Sequence, residues 1–186
     1  ATSDDLLNWE SLTSSVVIVG EGIIACEFAF ILRSLGVAVT MIGMEARPLP
    51  TMDKDISSVV TRELKRKTIT FLGCRRVESL RITAGHVDVV GPQDLITSTE
   101  RVLVCVGRIP HTLGMGLDDV GVRTGSRGEI EVDSFMRTTV PGVYAAGDVT
   151  GRIMLAHAAS AQACLAVEHM MGLAAQQLDE NAIPWA

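Results

Sequence analysis

Residues 16–29 read Val-Val-Ile-Val-Gly-Glu-Gly-Ile-Ile-Ala-Cys-Glu-Phe-Ala, and this stretch decides the fold of the chain. Four apolar residues of high β-propensity, Val16 to Val19, end at Gly20, and a short apolar run bounded by glycine predicts a buried strand. An apolar pattern with helical spacing begins at Ile23. The stretch therefore predicts a strand, a tight turn and a helix in immediate succession.

The spacing Gly20-x-Gly22-x-x-Ala25 matches a dinucleotide-binding fingerprint with alanine at its third position. The first glycine permits the tight turn, the second lets a pyrophosphate approach the backbone, and the small third residue lets helix and strand pack closely. The helix N-terminus then presents free N–H groups and a partial positive charge to the phosphates. We therefore predict that this loop binds a dinucleotide, and the alternative is a purely structural glycine turn. The residues of the predicted site are Gly20, Glu21, Gly22, Ile23, Ile24 and Ala25.

The segments that follow continue the alternation of strand and helix. Gly36 is a natural end for the first helix, expected over residues 22–35, and residues 37–42 predict a second buried strand. Asp53 can cap a second helix running to about Lys67, and residues 68–72 predict a third strand. This order predicts an α/β fold with a Rossmann-like parallel sheet and right-handed crossovers, the mononucleotide-binding half of a doubly wound sheet.

The pattern changes at residue 77. Residues 77–90 alternate between apolar and polar side chains around a turn at Ala84-Gly85, which predicts a β-meander. Further strands are expected at 101–106, near 130–132 and at 143–146, with a helix at 154–171 and no packing pattern at 172–186. The predicted organisation is a linker at 1–14, a dinucleotide-binding domain at 15–142 and a final segment at 143–186.

The composition restricts the possible functions. Hydrophobic residues make up 47% of the 186 residues, and the net charge of −6 includes no basic block, which argues against nucleic-acid binding. No apolar run approaches the roughly 18 residues of a membrane span, and the first residues do not read as a signal peptide. We expect a reducing compartment, buried thiols and no metal site, because neither C-x-x-C nor zinc-type spacing occurs among Cys26, Cys74, Cys105 and Cys164.

Four segments together resemble the pyridine nucleotide-disulfide oxidoreductase family. They are Val-Gly-Glu-Gly-Ile-Ile-Ala-Cys-Glu-Phe-Ala at 19–29, Val-Cys-Val-Gly-Arg-Ile-Pro at 104–110, Thr-Thr-Val-Pro-Gly-Val-Tyr-Ala-Ala-Gly-Asp at 138–148 and Met-Leu-Ala-His-Ala-Ala-Ser-Ala-Gln at 154–162. The third segment is typical of these flavoproteins as a whole. The fourth, with its Leu-Ala-His, is similar to the dihydrolipoyl dehydrogenase branch.

This resemblance implies a flavoprotein with two dinucleotide-binding domains. Residues 15–142 would be its NAD-binding domain, and residues 143–186 would be the return segment, a strand and a helix, that completes the FAD-binding domain. The stretch 181–184 is similar to the beginning of the family's interface domain. The family's C-x-x-x-x-C disulfide and His-Glu acid–base pair have no counterpart in the sequence, so we expect no catalytic residue here and no catalysis by this chain alone.

The resemblance adds four residues to the expected NAD site. Glu27 would lie at the nicotinamide end, Gly107 where the chain passes under the dinucleotide with Arg108 beside it, and Val77 near the adenine. A glycine at a strand end suits close approach to a ligand. The alternatives are a solvated helix glutamate for Glu27, a surface cation for Arg108 and an ordinary core valine for Val77.

The resemblance also implies FAD contacts in the intact protein. Asp148 would accept a hydrogen bond from the ribityl chain, with a turn or helix cap as the alternative. The start of the last helix would lie beside the flavin ring, where backbone N–H groups can donate to it. Its residues are Met154, Leu155, Ala156 and His157.

One position departs from the family pattern. A dinucleotide fold that prefers NAD usually ends its second strand with an acidic residue for the adenosine ribose hydroxyls, and here that position is Gly43. Glu45 comes two residues later and offers a different path to the ribose. Arg47 does not by itself indicate a 2′-phosphate, because the family carries an arginine there regardless. The expectation of NAD therefore depends on the resemblance, and a relaxed cofactor preference stays open.

The function implied is the NAD(H)-binding portion of an FAD-dependent enzyme that oxidises dihydrolipoamide through a redox disulfide and passes hydride to NAD. Its partners would be the lipoyl domains of 2-oxo acid dehydrogenase or glycine cleavage complexes, in the cytoplasm or a mitochondrial matrix. The intact protein would be a homodimer, and this chain alone a monomer or weak dimer. The alternatives are an NAD(P)H-dependent disulfide or mercuric-type reductase of the same family, and a non-catalytic dinucleotide-binding module.

Overall fold

The computed structural model describes residues 1–184, which form two compact units that meet in sequence at Gly107 and Arg108. The helices of the first unit are α1 (Ser3–Leu7), α2 (Ile23–Ser34) and α3 (Lys54–Arg66). Its strands are β1 (Ser15–Val19), β2 (Ala38–Ile42), β3 (Thr70–Leu72), β4 (Ser79–Thr83), β5 (His86–Gly91), β6 (Asp94–Thr99) and β7 (Arg101–Val104). The second unit contains α4 (Ala156–Met170) and short 3-10 helices at Asp118–Val120, Asp148–Thr150 and Glu180–Ala182.

Four strands of the first unit form a parallel sheet in the order β3-β2-β1-β7. Val17 in the middle of β1 lies opposite Thr40 of β2 on one side and Val102 of β7 on the other. The prediction of an α/β fold with a parallel sheet is confirmed. The Asp53 side chain accepts a hydrogen bond from the backbone N–H of Asp55, so the expected cap of α3 is also present.

The alternating side chains of β1 enter two different hydrophobic clusters. Val16 and Ile18 pack with α2 and α3, whereas Val17 packs with the antiparallel strands. All three valine and isoleucine side chains are at most 2% exposed. β1 is therefore buried on both faces, which is why its sequence is a continuous apolar run rather than an alternation.

Strands β4, β5 and β6 form an antiparallel sheet, in which β4 and β5 correspond to the predicted meander and β6 was not predicted. The turn between β4 and β5 lies at Ala84-Gly85, as expected from the sequence. The sequence of β6 gives no clear strand signal, because its two apolar residues, Leu95 and Ile96, are adjacent and polar residues flank them on both sides. Ile96 nevertheless packs into the cluster formed by Val17 and its neighbours, so β6 completes this layer of the first unit.

The segment 1–14, expected to be a linker, contains folded structure. It includes α1, and the side chains of Leu6 and Trp9 pack partly buried against the core. The amino group of Ala1 donates to the carbonyl of Val102 over 3.0 Å, and the Arg101 guanidinium carbon lies 4.5 Å from the centre of the Trp9 ring. The polar composition of this segment concealed two apolar anchors.

The predicted strand at 143–146 is wrong. Tyr144 forms only an isolated bridge with Arg137, and the prediction near 130–132 likewise reduces to a single bridge between Ile130 and Thr124. A strand needs a neighbouring strand for its backbone hydrogen bonds, and no strand among residues 108–184 runs beside either stretch. The apolar character of 143–146 instead places Ala145 in a small cluster with Val122 and Ile130.

The end of the chain packs more closely than its sequence suggested. Ala175 and Leu178 contact a buried cluster that includes Leu165 of α4, and the Arg152 guanidinium forms an ion pair with Glu180 at 3.0 Å. The expectation of no packing after Gly172 is therefore wrong for residues up to 184, and residues 185 and 186 lie outside the described part. The boundary at 142/143 stays a prediction.

No helix in the described residues combines the length and apolar character needed to cross a membrane. Within the same residues, no group of three or more His, Cys, Asp or Glu side chains could hold a metal ion. All four cysteines are free, with Cys26 buried and Cys105 half-buried. The expectation of buried thiols is wrong for Cys74, in the loop after β3, and for Cys164, on an exposed position of α4.

Candidate functional site

The carboxyl ends of β2, β1 and β7 lie side by side at one edge of the parallel sheet. The backbone N–H of Gly20 donates to the Ile42 carbonyl at 2.8 Å, and the N–H of Cys105 donates to the Val19 carbonyl at 2.8 Å. The chain continues from β1 to β2 and β3 on one side, while β7 lies on the other. In open α/β sheets, ligands bind at this kind of edge, where the strand order reverses.

Gly20 makes the sharp turn between β1 and α2. Its φ of +133° lies in a region that side chains rarely permit, and a Cβ at this position would lie 2.2 Å from the carbonyl oxygen of Cys105. Both the backbone angle and the contact with the neighbouring strand therefore require glycine. The turn brings the chain directly from the sheet edge into the start of α2.

Gly22 caps α2 and leaves the helix N-terminus open. No side chain binds the N–H groups of the first turn, and this turn holds no acidic residue. A Cβ at Gly22 would meet no heavy atom within 4 Å, so its missing side chain creates free space rather than relieving a clash. The first N–H groups of a helix have no partner within it, and together with the helix dipole they favour an anion such as a diphosphate.

The residues after Gly22 support this open end from behind. Ile23 is 42% exposed, whereas Ala25 is fully buried in the cluster with Val16 and Ile18. Ile24 is half-buried. The small side chain of Ala25 lets α2 pack closely on β1, which is the role that the fingerprint gives its third position. The residues present thus fit a dinucleotide diphosphate at the start of α2.

Glu21, between the two glycines, extends to the end of β2. Its Oε1 accepts a hydrogen bond from the backbone N–H of Glu45 at 3.3 Å, and its carbonyl accepts one from the N–H of Leu49 at 2.8 Å. Its Oε2 would lie 2.8 Å from a Cβ built on Gly43. The place of Glu21 in the loop could be predicted from the fingerprint, whereas this side-chain contact with the end of β2 could not.

Glu45 and Arg47, the other charged residues after β2, are oriented by the loop. Glu45 is exposed and contributes its backbone N–H to Glu21. The Arg47 guanidinium donates to the carbonyls of Pro50 and Met52 at 3.2 and 3.3 Å, so it stabilises the loop before α3. These bonds direct the guanidinium into its own loop.

Glu27 is exposed on α2, one turn beyond Ile23. Among the described residues its carboxylate makes no hydrogen bond, so it is available to another group. The adjacent Cys26 is an unsuitable nucleophile, because burial, reinforced by Glu27 and Glu21, raises the pKa of its thiol to about 11. Burial also raises the pKa of the Cys105 thiol.

The other residues predicted for the NAD site are Gly107, Arg108 and Val77, and none of them is part of the loop between β1 and α2. Gly107 is exposed beyond the end of β7, with a φ of +126° and no heavy atom within 4 Å of a Cβ. Arg108 is exposed and begins the second unit. Val77 is half-buried against Val17 and Ile42, which supports the alternative of a core valine.

In the second unit, Asp148 starts a 3-10 helix directly after Gly147, whose φ is +83°. The Asp148 side chain is exposed, and within residues 108–184 no hydrogen bond reaches its carboxylate. It is therefore not a side-chain cap of this turn. The carboxylate is free to accept hydrogen bonds from hydroxyl groups of a ligand.

Helix α4 begins at Ala156, and Leu155 caps it without a side-chain hydrogen bond. Met154 and Leu155 are half-buried, whereas Ala156 and His157 are exposed. The His157 Nε2 lies 2.9 Å from the carbonyl oxygen of Pro184. The predicted flavin-side residues thus form an open helix start, which offers backbone donors as the start of α2 does.

Gln162, the last residue of the fourth family-like segment, was not predicted to belong to the site. It is 1% exposed, and its Oε1 accepts a hydrogen bond from the Gly147 N–H at 2.7 Å. Its Nε2 is buried and has no partner among the described residues. Gln162 shares a buried face of α4 with Ala158, Leu165 and Ala166, and a lone amide on such a face is the sequence signal that could have identified it.

Comparison with known proteins places these features in a wider group. Residues 1–163 match the family model described as pyridine nucleotide-disulphide oxidoreductase. A dihydrolipoyl dehydrogenase of Corynebacterium glutamicum is 39% identical over 170 residues, which are 89% of this chain and 36% of that protein. A dihydrolipoyl dehydrogenase of Bacillus subtilis is 37% identical over 188 residues, or 98% of this chain and 40% of that protein.

Solved structures show the same architecture. LpdA from Mycobacterium tuberculosis superposes with a TM-score of 0.92 and 28% identity over 98% of this chain and 40% of its own. The HOCl-induced flavoprotein disulfide reductase RclA from Escherichia coli gives a TM-score of 0.90 and 25% identity over 96% of this chain and 41% of its own. The chain therefore spans about two fifths of the length of each of these four proteins.

Proposed function

Because this chain belongs to the pyridine nucleotide-disulphide oxidoreductase family, we propose that it is the NAD(H)-binding part of an FAD-dependent dihydrolipoyl dehydrogenase. Relatives of that name, at 39% and 37% identity, support the choice within the family. The observation that carries the proposal is the open N-terminus of α2 behind the Gly20 turn, at the carboxyl edge of the parallel sheet. This is the arrangement that binds a dinucleotide diphosphate in such sheets.

In this proposal the first unit binds and orients the nicotinamide dinucleotide. The free N–H groups at the start of α2 donate to its diphosphate, and the space at Gly22 lets the backbone approach the phosphates. Glu27 carries an exposed carboxylate toward the end of the site expected for the nicotinamide. When bound, NAD supplies the hydride acceptor and FAD the electron relay from the thiols.

The second unit contributes to a flavin site in the same proposal. The exposed carboxylate of Asp148 accepts hydrogen bonds from ribityl hydroxyls, and the uncapped start of α4 donates backbone N–H groups to the flavin. Gln162 fixes the backbone just before Asp148 through its bond to Gly147. Gln162 thus acts as a positioning residue for the carboxylate.

The role of this chain is orientation rather than bond making. The printed sequence holds no two cysteines at C-x-x-x-x-C spacing. We therefore propose that the chain alone is inactive, and that a redox disulfide outside it oxidises dihydrolipoamide carried by lipoyl domains. Correct placement of reacting groups accounts for a large part of enzymatic rate enhancement, and the hard chemistry belongs to the cofactors.

A second candidate is an NADPH-dependent disulfide reductase of the same family. The observation in its favour is Gly43, since the end of β2 lacks the carboxylate that usually selects NAD. The likeness to RclA, which is described as a disulfide reductase, agrees with this candidate. The preference between NADH and NADPH distinguishes the two candidates directly.

The test is a titration of the chain with NADH and with NADPH, followed by nicotinamide fluorescence. We expect saturable binding of NADH and weaker binding of NADPH. The variant Gly22→Ala should weaken NADH binding about tenfold. It should lower the melting temperature only slightly, because its Cβ meets open space in the free chain and the remaining cost is that of a poorer N-cap residue. The proposal fails if wild type binds neither dinucleotide, or if Gly22→Ala binds NADH as tightly as wild type does.

A further inference from the structure

The end of β2 carries no carboxylate, because the residue at this position is Gly43. Gly43 is buried, and its φ lies outside the positive range that favours glycine over other residues. The backbone at this position would therefore accept a side chain. What prevents one is space, since a Cβ on Gly43 would lie 2.8 Å from Oε2, 2.9 Å from Cβ and 3.0 Å from Cδ of Glu21.

The Glu21 side chain therefore fills the volume that a residue at position 43 would occupy. Two hydrogen bonds link Glu21 to the segment after β2. The Leu49 N–H binds its carbonyl at 2.8 Å, and the Glu45 N–H binds its Oε1 at 3.3 Å. Among residues 1–184 no group donates to the second carboxylate oxygen, Oε2, and the side chain is half-buried beside the open start of α2.

We propose that Glu21 replaces the missing acidic residue of β2 and binds the adenosine ribose hydroxyls of NAD(H). This inference depends on the proposed function, because it assigns a specificity-determining residue within the same dinucleotide site. A carboxylate accepts hydrogen bonds from both ribose hydroxyls, whereas it repels the 2′-phosphate of NADP(H). Glu21 thus selects NADH although Gly43 carries no side chain.

Two cations follow the neighbouring strands, Arg47 after β2 and Arg75 after β3. Arg47 donates to the carbonyls of Pro50 and Met52, so its Nη2 is already engaged in the loop. The backbone N–H of Arg75 donates to the Gly43 carbonyl at 2.9 Å, so the backbone of Arg75 lies beside the end of β2. A dominant Arg75 would give the opposite preference, for NADPH.

The test measures dissociation constants of NADH and NADPH for the whole chain and its variants. Glu21→Gln keeps the size of the side chain and removes its charge, so it should weaken NADH binding about tenfold and bring the two constants together. The competing candidate for the ribose, Glu45, is tested by the matched variant Glu45→Gln, which removes its exposed carboxylate but keeps the backbone N–H that orients Glu21. This variant should leave the ratio of the two constants unchanged.

A transfer of the carboxylate provides a second variant. In Glu21→Ala/Gly43→Glu the obstructing side chain is gone, and the acid returns to the end of β2. We expect this double variant to recover the preference for NADH that Glu21→Ala loses. Gly43→Glu alone should not tighten NADH binding, because it forces two carboxylates into one space.

The outcomes separate the inference from the proposed function. If wild type binds NADH and Glu21→Gln keeps the wild-type ratio, Glu21 does not set the preference and the inference is overturned alone. A wild-type preference for NADPH overturns it as well. If wild type, shown folded by circular dichroism, binds neither dinucleotide, the proposed function fails and the inference fails with it.

Discussion

Replacing Gly20 by alanine tests whether the turn after β1 depends on both its backbone angle and its space. The φ of +133° imposes a strain of about 1–3 kcal/mol on any other residue. The added Cβ would lie 2.2 Å from the carbonyl oxygen and 2.8 Å from the carbonyl carbon of Cys105, so backbone must shift. Overpacking of this kind costs about 1–3 kcal/mol more. We expect Gly20→Ala to lower the free energy of unfolding by about 2–6 kcal/mol in total.

Gly107→Ala is a matched control for the backbone angle. Its φ of +126° is close to that of Gly20, but a Cβ there meets no heavy atom within 4 Å. It should therefore cost only the strain, about 1–3 kcal/mol. Urea unfolding of both variants, followed by circular dichroism, gives the two losses and their m-values. Equal losses in the two variants would refute the argument that the Cys105 carbonyl excludes a side chain from position 20.

Three further predictions concern other parts of the chain. Hydrogen bonds from the side chains and backbone just before β1 lower the pKa of Glu100 from 4.5 to about 2, so its stabilising contribution is complete above pH 4.5 and lost as the pH falls to 2. In wild type the midpoint of urea unfolding should therefore fall between pH 6 and pH 2, and Glu100→Gln should make this fall smaller. An equal fall in the variant would contradict the prediction. A thiol reagent at pH 8 should label Cys74 and Cys164 rapidly and Cys26 only after unfolding, because Cys26 is buried and the pKa of its thiol is raised to about 11. Rapid native labelling of a Cys74→Ser/Cys105→Ser/Cys164→Ser variant, in which Cys26 is the remaining thiol, would be inconsistent with that burial. Gln162→Ala leaves the buried N–H of Gly147 without its acceptor and should lower the free energy of unfolding by about 1–3 kcal/mol, measured by thermal unfolding. The control Ser160→Ala, on the exposed face of α4, should leave this free energy nearly unchanged. Similar losses of stability in both variants would argue against this role for the Gln162 amide.

The central strands and helices of the first unit could be predicted because their signals are local, whereas α1 and β6 were missed. The run Val16 to Val19, the glycine after it and the helical spacing from Ile23 lie within 14 residues, so strand, turn and helix were all found. The pairing of β7 beside β1 is different, since it joins residues some 85 positions apart, such as Val17 and Val102. Nothing in the apolar run 101–106 distinguishes one edge of the sheet from the other.

The second unit shows the limit of local patterns. Residues 143–146 have the β-propensity of a strand, but a strand forms only where another strand satisfies its backbone. The packing of Leu178 was missed for a related reason, because the apolar residues of the final segment follow neither a helical nor a strand period. Both errors concern partners distant in sequence rather than the residues themselves.

The loop that forms the candidate site was predicted, but the directions of its side chains were not. The fingerprint identified Gly20, Gly22 and Ala25, whose roles follow from having small side chains. The direction of Glu21 depends on how closely the first loop passes the end of β2, which is a tertiary distance. The signal available in the sequence was the joint occurrence of an acid at position 21 and a glycine at 43, where the acid is normally expected.

The position of β1 between β2 and β7, with both faces buried, has a kinetic consequence for the site. Amide protons at the centre of such a sheet exchange with solvent only when the whole unit unfolds. The Gly20 N–H is bonded to Ile42, and the Cys105 N–H to Val19, so the beginning of the loop shares this slow exchange. If the proposed function holds, a dinucleotide that reaches α2 meets a loop that is already ordered, and we expect its association to be limited by encounter rather than by loop closure.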